Sequence, residues 1–342
     1  MITPAELRRR IAALPRQKIA LLPTPVESVP RLAAAIGCDR LLLKRDDMTG
    51  LVFGGNKVRE LDFLIGEALA EGCDIFIAGG GVGHSNHARQ CTAAAIRGGL
   101  RPIMVLRSGG FGAPATGNLL ITQALGAEIE WVDEDAGLDD REAMAGAMDR
   151  IAARERARGG KPYVLHSSVH PLAAVAYAEC ALELVEQLPS GPATIFVASM
   201  GATFVGLKLA AAWLGLDWSV TAVSWRPQMP DLRDRLAALA AKTGERLGLA
   251  SPLGPDDFHV LEQGGPAYGV QSEASADALR LALRSDAVLL DPVYTAKGMA
   301  GLIAAGKAGH LPAGRPVVFL HSGGLPALFT YADQILSGGA AA

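Results

Sequence analysis

The sequence contains little cysteine, and its cysteines are scattered. The four cysteines among its 342 residues, Cys38, Cys73, Cys91 and Cys180, include no C-x-x-C pair. This spacing is not that of a zinc finger or a disulfide framework, so we expect reduced and mostly buried thiols. His84 and His87 are three residues apart, but no Glu or Cys in the same motif completes a ligand set. We therefore expect no metal site.

The sequence also lacks a strong excess of charge and long apolar runs. Its 32 basic and 35 acidic residues give a formal net charge of −3, which does not indicate a nucleic-acid partner. No run of about 18 apolar residues is present, and the opening MITPAELRRRIAAL has no apolar core of signal-peptide type. We expect a cytoplasmic protein whose partners are neither nucleic acid nor membrane.

Short apolar segments alternate with longer helical patterns along nearly the whole chain. The hydrophobic content of 50% is enough for a sizeable core in roughly two domains. The strand-like segments are RLLLKRD, DIFIAGG, RPIMVLR, AEIEWV, PYVLHS, ATIFVAS, SVTAVSW, AVLLDP and PVVFLHS. Helical patterns cover residues 86–99, 140–158, 171–188, 203–214, 230–249, 273–284 and 295–308. This alternation predicts an α/β protein with mostly parallel sheets.

Three glycine-rich segments each follow a predicted strand and precede a predicted helix: GGGVGHSNH, SMGAT and HSGGLP. In open parallel sheets, ligands bind at the carboxyl ends of the strands. The backbone N–H groups at the start of a helix also bind anions. The sequence therefore predicts a ligand site where these segments meet.

A fourth segment with adjacent glycines is VFGGNKVRELDFL, residues 52–64. The apolar spacing after it predicts a helix from about Asn56 to Glu71, with Lys57 in the first turn. A cation is unusual there, because a helix N-terminus carries partial positive charge. Taken alone, the pattern is also compatible with a solvated surface lysine.

The loop around GGGVGHSNH allows two other interpretations. As a dinucleotide fingerprint it lacks the third glycine, since Asn86 stands there, although Arg107 after the next strand could bind a 2′-phosphate. As the nucleophile elbow of a hydrolase it would use Ser85, but His87 occupies the position of the second glycine. Both patterns are partial.

Six segments, in order along nearly the whole chain, carry a more specific resemblance: LPTPVESVPRL, LLLKRDDMTGL, GGNKVRELDFL, HSNHARQ, LLDPVYTAKGMAGLI and HSGGLPALF. They resemble the fold-type II pyridoxal phosphate enzymes, specifically the D-cysteine desulfhydrase and 1-aminocyclopropane-1-carboxylate (ACC) deaminase family, which includes cysteate sulfo-lyases. The resemblance implies pyridoxal 5′-phosphate as cofactor, a fold like that of the tryptophan synthase β-subunit, and a homodimer. It also implies two open α/β domains, a large one from 1–49 and 167–342 and a small one from 50–166.

The resemblance assigns roles to individual residues. Lys57 would form the Schiff base with the cofactor and, once freed, would take the Cα proton of the substrate. Ser85, Asn86 and His87 would bind the substrate carboxylate at a helix N-terminus, and Asn86 would also reach the phenolic oxygen of the cofactor. The glycines before Lys57 would let the backbone approach a flat ring.

Further positions line the implied substrate and cofactor sites. Tyr268 and Tyr294 match tyrosines on the substrate side, and Lys57, Tyr294 and Ser85 form the implied catalytic set. Ser322 would pair with the pyridine nitrogen without forcing its protonation, which favours elimination over transamination. Thr295 resembles the desulfhydrase branch, whereas the deaminases carry glutamate. The cofactor phosphate would bind at the segment Ser199, Gly201, Ala202 and Thr203.

Some residues depart from the family pattern. Glu60 replaces a lysine that contacts the phosphate, so we expect it to turn away or to pair with a basic side chain such as Arg59 or Arg89. His84 replaces a glutamine before Ser85. The favoured function is α,β-elimination from a small amino acid, such as D-cysteine or cysteate, to pyruvate and ammonia. The alternatives are ACC deamination, an NADP-dependent oxidoreductase, and a divergent or silent amino-acid-binding relative.

Overall fold

A computed structural model of the chain describes residues 1–83, 85–108, 115–132, 141–263, 265 and 267–337. Its strands are β1 Val26–Ser28, β2 Leu41–Lys44, β3 Ile75–Val82, β4 Arg101–Arg107, β5 Glu128–Val132, β6 Pro162–Leu165, β7 Ala193–Val197, β8 Trp218–Val223, β9 Val260–Leu261 and β10 Val317–Leu320. Its helices are α1 Pro4–Ala12, α2 Pro30–Ile36, α3 Asn56–Ala70, α4 Asn86–Arg97, α5 Gly117–Ala124, α6 Arg141–Ala157, α7 Pro171–Gln187, α8 Ala202–Leu214, α9 Leu232–Leu247, α10 Glu273–Asp286, α11 Thr295–Lys307, α12 Ala327–Thr330 and α13 Ala332–Ser337.

The strands form two sheets. One has six strands in the order β1-β2-β10-β7-β8-β9, and the other has four in the order β5-β4-β3-β6. Only the β1–β2 pair is antiparallel; all the other strand pairs in the described residues are parallel. The predicted α/β class with mostly parallel sheets is confirmed. Within the described residues, no helix combines the length and the apolar character needed to cross a membrane.

Helices α3, α7 and α8 form the centre of the main hydrophobic core. Phe63 of α3, Tyr177 of α7 and Phe204 of α8 are fully buried in it. Side chains from both sheets join the same cluster, for example Phe76 on β3 and Ile195 on β7. The start of α3, which carries Lys57, is therefore built on the best-packed part of the molecule.

The helix predictions agree with the structure to within about two residues, but one strand prediction is wrong. The segment AVLLDP, residues 287–292, forms no strand. Instead, the Asp291 carboxylate accepts hydrogen bonds from the backbone N–H groups of Val293, Tyr294 and Thr295. The Asp291 side chain binds backbone N–H groups that a strand would use for sheet hydrogen bonds, and so it fixes a turn ahead of α11. The apolar run alone does not reveal this competition between turn and strand.

Candidate active site

Lys57 is the second residue of α3, as the sequence predicts. The two glycines before it allow close contact within the protein. A Cβ on Gly54 would lie 2.1 Å from the Asp47 carbonyl oxygen, and one on Gly55 would lie 2.4 Å from Nε2 of Gln90. These contacts with protein groups are enough to require glycine at both positions, and the expectation that the glycines let the backbone approach a flat ring stays a prediction.

The chain enters α3 through a short left-handed turn. Leu51, Val52 and Phe53 have φ angles of 36°, 47° and 66°, a region that L residues seldom adopt. The buried Arg89 guanidinium holds this turn, because it donates to the carbonyl oxygens of Val52 and Gly54. Arg89 therefore stabilises a strained backbone conformation directly before Lys57.

Glu60 lies on the same helix face as Lys57, and its Oε1 accepts a hydrogen bond from the Lys57 Nζ at 3.1 Å. Glu60 thus pairs with a basic side chain, as predicted, but that side chain is Lys57 and not Arg59 or Arg89. Arg59 pairs with Asp46 and Glu183 in the core, and Arg89 points to the left-handed turn. Burial raises the pKa of Glu60 to about 7, although the Lys57 charge and hydrogen bond oppose the rise.

This raised pKa predicts a pH-dependent stability difference between the wild type and Glu60→Gln. The folded protein holds the Glu60 proton more tightly than the unfolded chain, so this stabilising contribution is complete below about pH 4.5 and is lost as the pH rises through about 7. Denaturation of the cofactor-free proteins should show the wild type losing on the order of 1–3 kcal/mol relative to Glu60→Gln across that window. Glu186→Gln, at an exposed carboxylate, is the control. Parallel curves for wild type and Glu60→Gln would contradict the assignment.

A chain of hydrogen bonds determines how the Asn86 amide is oriented. Arg89, which can only donate, gives a hydrogen bond from Nε to the Asn118 Oδ1 at 2.8 Å. The Asn118 Nδ2 then donates to the Asn86 Oδ1 at 2.9 Å. Since its oxygen is already engaged, Asn86 presents its NH₂ group as a donor. A donor there suits an anionic oxygen such as the phenolic oxygen of the cofactor.

An inner cavity of about 130 Å³ opens above Lys57. Its lining includes Lys57, Asn86, Tyr294 and Ser322, together with residues 199–202 at the start of α8. The Ser199 hydroxyl accepts from the Gly201 N–H at 3.2 Å and shapes this segment. Thr203 does not line the cavity; its hydroxyl lies behind the cavity wall, 3.4 Å from the Asn56 Nδ2.

These groups fit pyridoxal phosphate. Lys57 offers an amine to the aldehyde, and the N-terminus of α8 offers backbone donors to the phosphate. Ser322 also lines the inner cavity with a neutral hydroxyl, and its carbonyl oxygen accepts a hydrogen bond from the Asn56 N–H at 2.9 Å. Thr295 is fully buried and its hydroxyl bonds to Asp291, so its position fixes the turn before α11.

An outer cavity of about 410 Å³ adjoins the inner one. Ser85 and Tyr268 line the outer cavity, while His87 and Tyr294 line both. Ser85 also caps α4, since its Oγ accepts from the Ala88 N–H at 3.2 Å. The structure therefore brings the predicted substrate-side residues together around one space. His84 lies outside the described residues.

Three titratable side chains that line the outer cavity, those of His87, Tyr268 and Tyr294, are neutral at physiological pH. Burial and the nearby Lys57 charge lower the pKa of His87 to about 3. Burial also raises the pKa values of Tyr268 and Tyr294, whose hydroxyls are 3.1 Å apart with Tyr294 as donor. His87 therefore offers hydrogen bonds without charge, and both tyrosines keep their protons.

Sequence reasoning missed part of the wall. Trp225 lines both cavities, and its ring centroid lies 5.4 Å from that of Tyr268 and 5.2 Å from that of Tyr294. Arg226 lines the outer cavity. Trp225 ends the strand-like segment SVTAVSW and Arg226 follows it, and this position was the available signal, because ligands bind at the carboxyl ends of parallel strands.

Comparison with known proteins identifies the family of the chain. The family described as "Pyridoxal-phosphate dependent enzyme" matches residues 18–323. A D-cysteine desulfhydrase from Salmonella typhi is 35% identical over 335 residues, which cover 95% of this chain and 98% of that protein. A solved structure titled as an ACC deaminase homologue has a TM-score of 0.88 and 31% identity, covering 97% of this chain and 98% of its own.

A more distant structure shares the fold alone. The processed threonine deaminase isoform 2 from Solanum lycopersicum has a TM-score of 0.67 at 15% identity, covering 98% of this chain and 88% of its own. The family match leaves the nicotinamide interpretation of Arg107 without support and confirms the predicted cofactor. The chain belongs to the pyridoxal-phosphate dependent enzymes.

Proposed function

We propose that the protein is a lyase that eliminates a β-substituent from a small amino acid to give pyruvate and ammonia, as a D-cysteine desulfhydrase does. The observation that carries this proposal is the position of Lys57. Among the described residues that line the inner and outer cavities, it is the only lysine. Its amine thus lies where it can both hold the cofactor and reach a substrate in the outer cavity.

When bound, pyridoxal phosphate supplies the electron sink that makes breaking the Cα–H bond possible. Lys57 would hold the cofactor covalently, and its Nζ would take the Cα proton of the substrate. Glu60, 3.1 Å from that nitrogen, stabilises the resulting ammonium. Asn86 would donate to the phenolic oxygen of the cofactor, and residues 199–202 would hold its phosphate.

The remaining residues bind the substrate and the leaving group. Ser85 and the N-terminus of α4 face the α-carboxylate, and the neutral His87 adds a hydrogen bond. The Tyr294 hydroxyl donates to Tyr268, which leaves the Tyr268 proton to protonate the departing β-substituent. Ser322, as a neutral partner for the pyridine nitrogen, favours elimination over transamination.

The division into domains is part of the proposal. We assign residues 1–49 and 167–342 to the large domain and 50–166 to the small one. The four-stranded sheet in residues 75–165 lies wholly within the proposed small domain, which supports this division. A homodimer and a cytoplasmic location follow from the resemblance to the family.

The reaction is tested by its products. Purified holoenzyme is incubated separately with D-cysteine, β-chloro-D-alanine, L-cysteate and ACC, and pyruvate and 2-oxobutyrate are quantified. We expect pyruvate from at least one β-substituted alanine and little 2-oxobutyrate from ACC. Predominant 2-oxobutyrate would instead establish the ACC deaminase alternative, which the 0.88 TM-score to an ACC deaminase homologue keeps in view. No pyruvate from any of them, with normal cofactor binding, would refute the lyase proposal for these substrates.

A further inference from the structure

Arg89 is a buried cation that has no carboxylate partner among the described residues. Its side chain is fully buried, and its hydrogen bonds go to neutral oxygens. Nε donates to the Asn118 Oδ1 at 2.8 Å, and the two terminal nitrogens donate to the carbonyl oxygens of Val52 and Gly54. Burial lowers the pKa of Arg89 to about 10, so the group stays charged at physiological pH. A buried charge without a counter-charge destabilises the folded state.

Other buried cations of the chain are paired with acids. The fully buried Arg59 is bonded to Asp46 and Glu183, and the buried Lys44 is bonded to Glu183. This is the usual arrangement, because a charge in the interior is tolerated when an opposite charge and hydrogen bonds accompany it. In the described part of the chain Arg89 has the hydrogen bonds but not the opposite charge. A bound anion could supply it.

Hydrogen bonds lead from Arg89 to the inner cavity. Arg89 and Asn86 lie one turn apart on α4, and the fully buried Asn118 of α5 connects their side chains. The Asn118 Nδ2 donates to the Asn86 Oδ1 at 2.9 Å. Asn86 lines the inner cavity, and its Nδ2 donates to no acceptor among the described residues. The series of hydrogen bonds therefore ends in a donor at the cavity.

Every hydrogen bond in this series runs in the same direction. Arg89 donates to Asn118, Asn118 donates to Asn86, and Asn86 has its NH₂ group left to donate. Hydrogen bonds in such a chain polarise one another, so the guanidinium charge strengthens the last donor. A strengthened donor favours an anionic oxygen over a neutral hydroxyl, because hydrogen bonds to charged acceptors are the stronger ones.

We propose that Arg89 is a positioning residue whose buried charge, acting through Asn118 and Asn86, keeps the phenolic oxygen of the bound cofactor deprotonated. This inference rests on the contact between Asn86 and that oxygen in the proposed function, and it does not depend on which substrate is used. With the oxygen anionic, the nitrogen that links Lys57 to the cofactor keeps its proton and is open to attack by the substrate amine. Arg89 thus acts on the reaction without lining either cavity.

The test is the absorbance of the holoenzyme without substrate. The lysine-bound cofactor absorbs visible light when its phenolic oxygen is deprotonated and near-ultraviolet light when that oxygen carries the proton. Asn118→Asp keeps the shape of the side chain and still accepts from Arg89, but it cannot donate to Asn86. We expect the near-ultraviolet to visible ratio to rise at least ~3-fold. A merely structural Arg89 would gain a carboxylate partner in this variant, and the ratio would stay unchanged.

Further variants separate the hydrogen-bond series from the turn before Lys57. Arg89→Met should raise the ratio as Asn118→Asp does, and if it does not fold, Asn118→Asp decides. Gln90→Met is the matched control, because the buried Gln90 donates to the Gly54 carbonyl oxygen at 3.0 Å and so touches the same turn. It should leave the ratio unchanged. Asn86→Ala removes the last donor and should raise the ratio about 10-fold.

The outcomes distinguish this inference from the proposed function. An unchanged ratio in Asn118→Asp, together with a rise in Asn86→Ala, overturns the role of Arg89 and leaves the Asn86 contact in place. An equal rise in Gln90→Met assigns the effect to the turn and also overturns the role of Arg89. An unchanged ratio in Asn86→Ala refutes the Asn86 contact and the inference together. Pyruvate release from β-chloro-D-alanine by the wild type tests the lyase separately, since the spectra are recorded without substrate.

Discussion

Replacing Lys57 with alanine should abolish the covalent attachment of the cofactor and reduce turnover by at least ~10³-fold, because one side chain serves as both attachment point and general base. The expected signature is loss of the visible absorbance of the lysine-bound cofactor. Borohydride reduction of the wild type followed by peptide mass mapping should place the pyridoxyl adduct on Lys57.

The control is Lys208→Ala, which removes a half-buried lysine on α8 that does not line the inner or outer cavity and should leave absorbance and turnover unchanged. Two buried lysines are the other sites at which the pyridoxyl adduct could be found. Lys44 is engaged by Glu183 in the core, and Lys297 lies behind Trp225, where burial lowers its pKa to about 8. An adduct on either of them would overturn the assignment of Lys57.

The second large effect is expected on stability, from Arg59→Met. Arg59 is fully buried and donates to Asp46 at 2.9 Å and to Glu183 at 2.6 Å. Burial raises the pKa of Asp46, but the Arg59 and Lys44 charges outweigh it and bring the pKa below the ordinary value. Removing the guanidinium leaves two carboxylates in the core without their main counter-charge, which should cost about 3–5 kcal/mol of the free energy of unfolding.

Arg8→Met is the matched control. Arg8 pairs with Glu186 on the surface, where the two side chains are 53% and 63% exposed, and the loss should stay below about 1 kcal/mol. Both variants are compared by urea denaturation of the cofactor-free protein. If Arg59→Met does not fold, Glu183→Gln offers a milder disruption of the same network. Equal losses for the buried and surface variants would contradict the argument.

The sequence alone determined the local structure and the family. Helix α3 was predicted as 56–71 and is observed as Asn56–Ala70, because its periodic apolar residues Val58, Leu61, Leu64 and Ile65 pack on one core. The family followed from six ordered segments, four of which supply residues that line the inner cavity, among them Lys57, Asn86, Tyr294 and Ser322. The periodicity of apolar residues and the order of motifs are properties of the sequence itself, and they can be recognised without knowing which elements pack together.

Only the tertiary structure decided which charges meet. Glu60 pairs with Lys57, while Arg59 binds carboxylates from elements distant in sequence. Arg107 and Arg226 are 119 positions apart in the sequence. They line one cavity because each follows or ends a strand, and the ends of these two strands lie beside that cavity. The partner of a charge depends on the packing of whole elements and on burial, and neither can be read from the residues next to it in the chain.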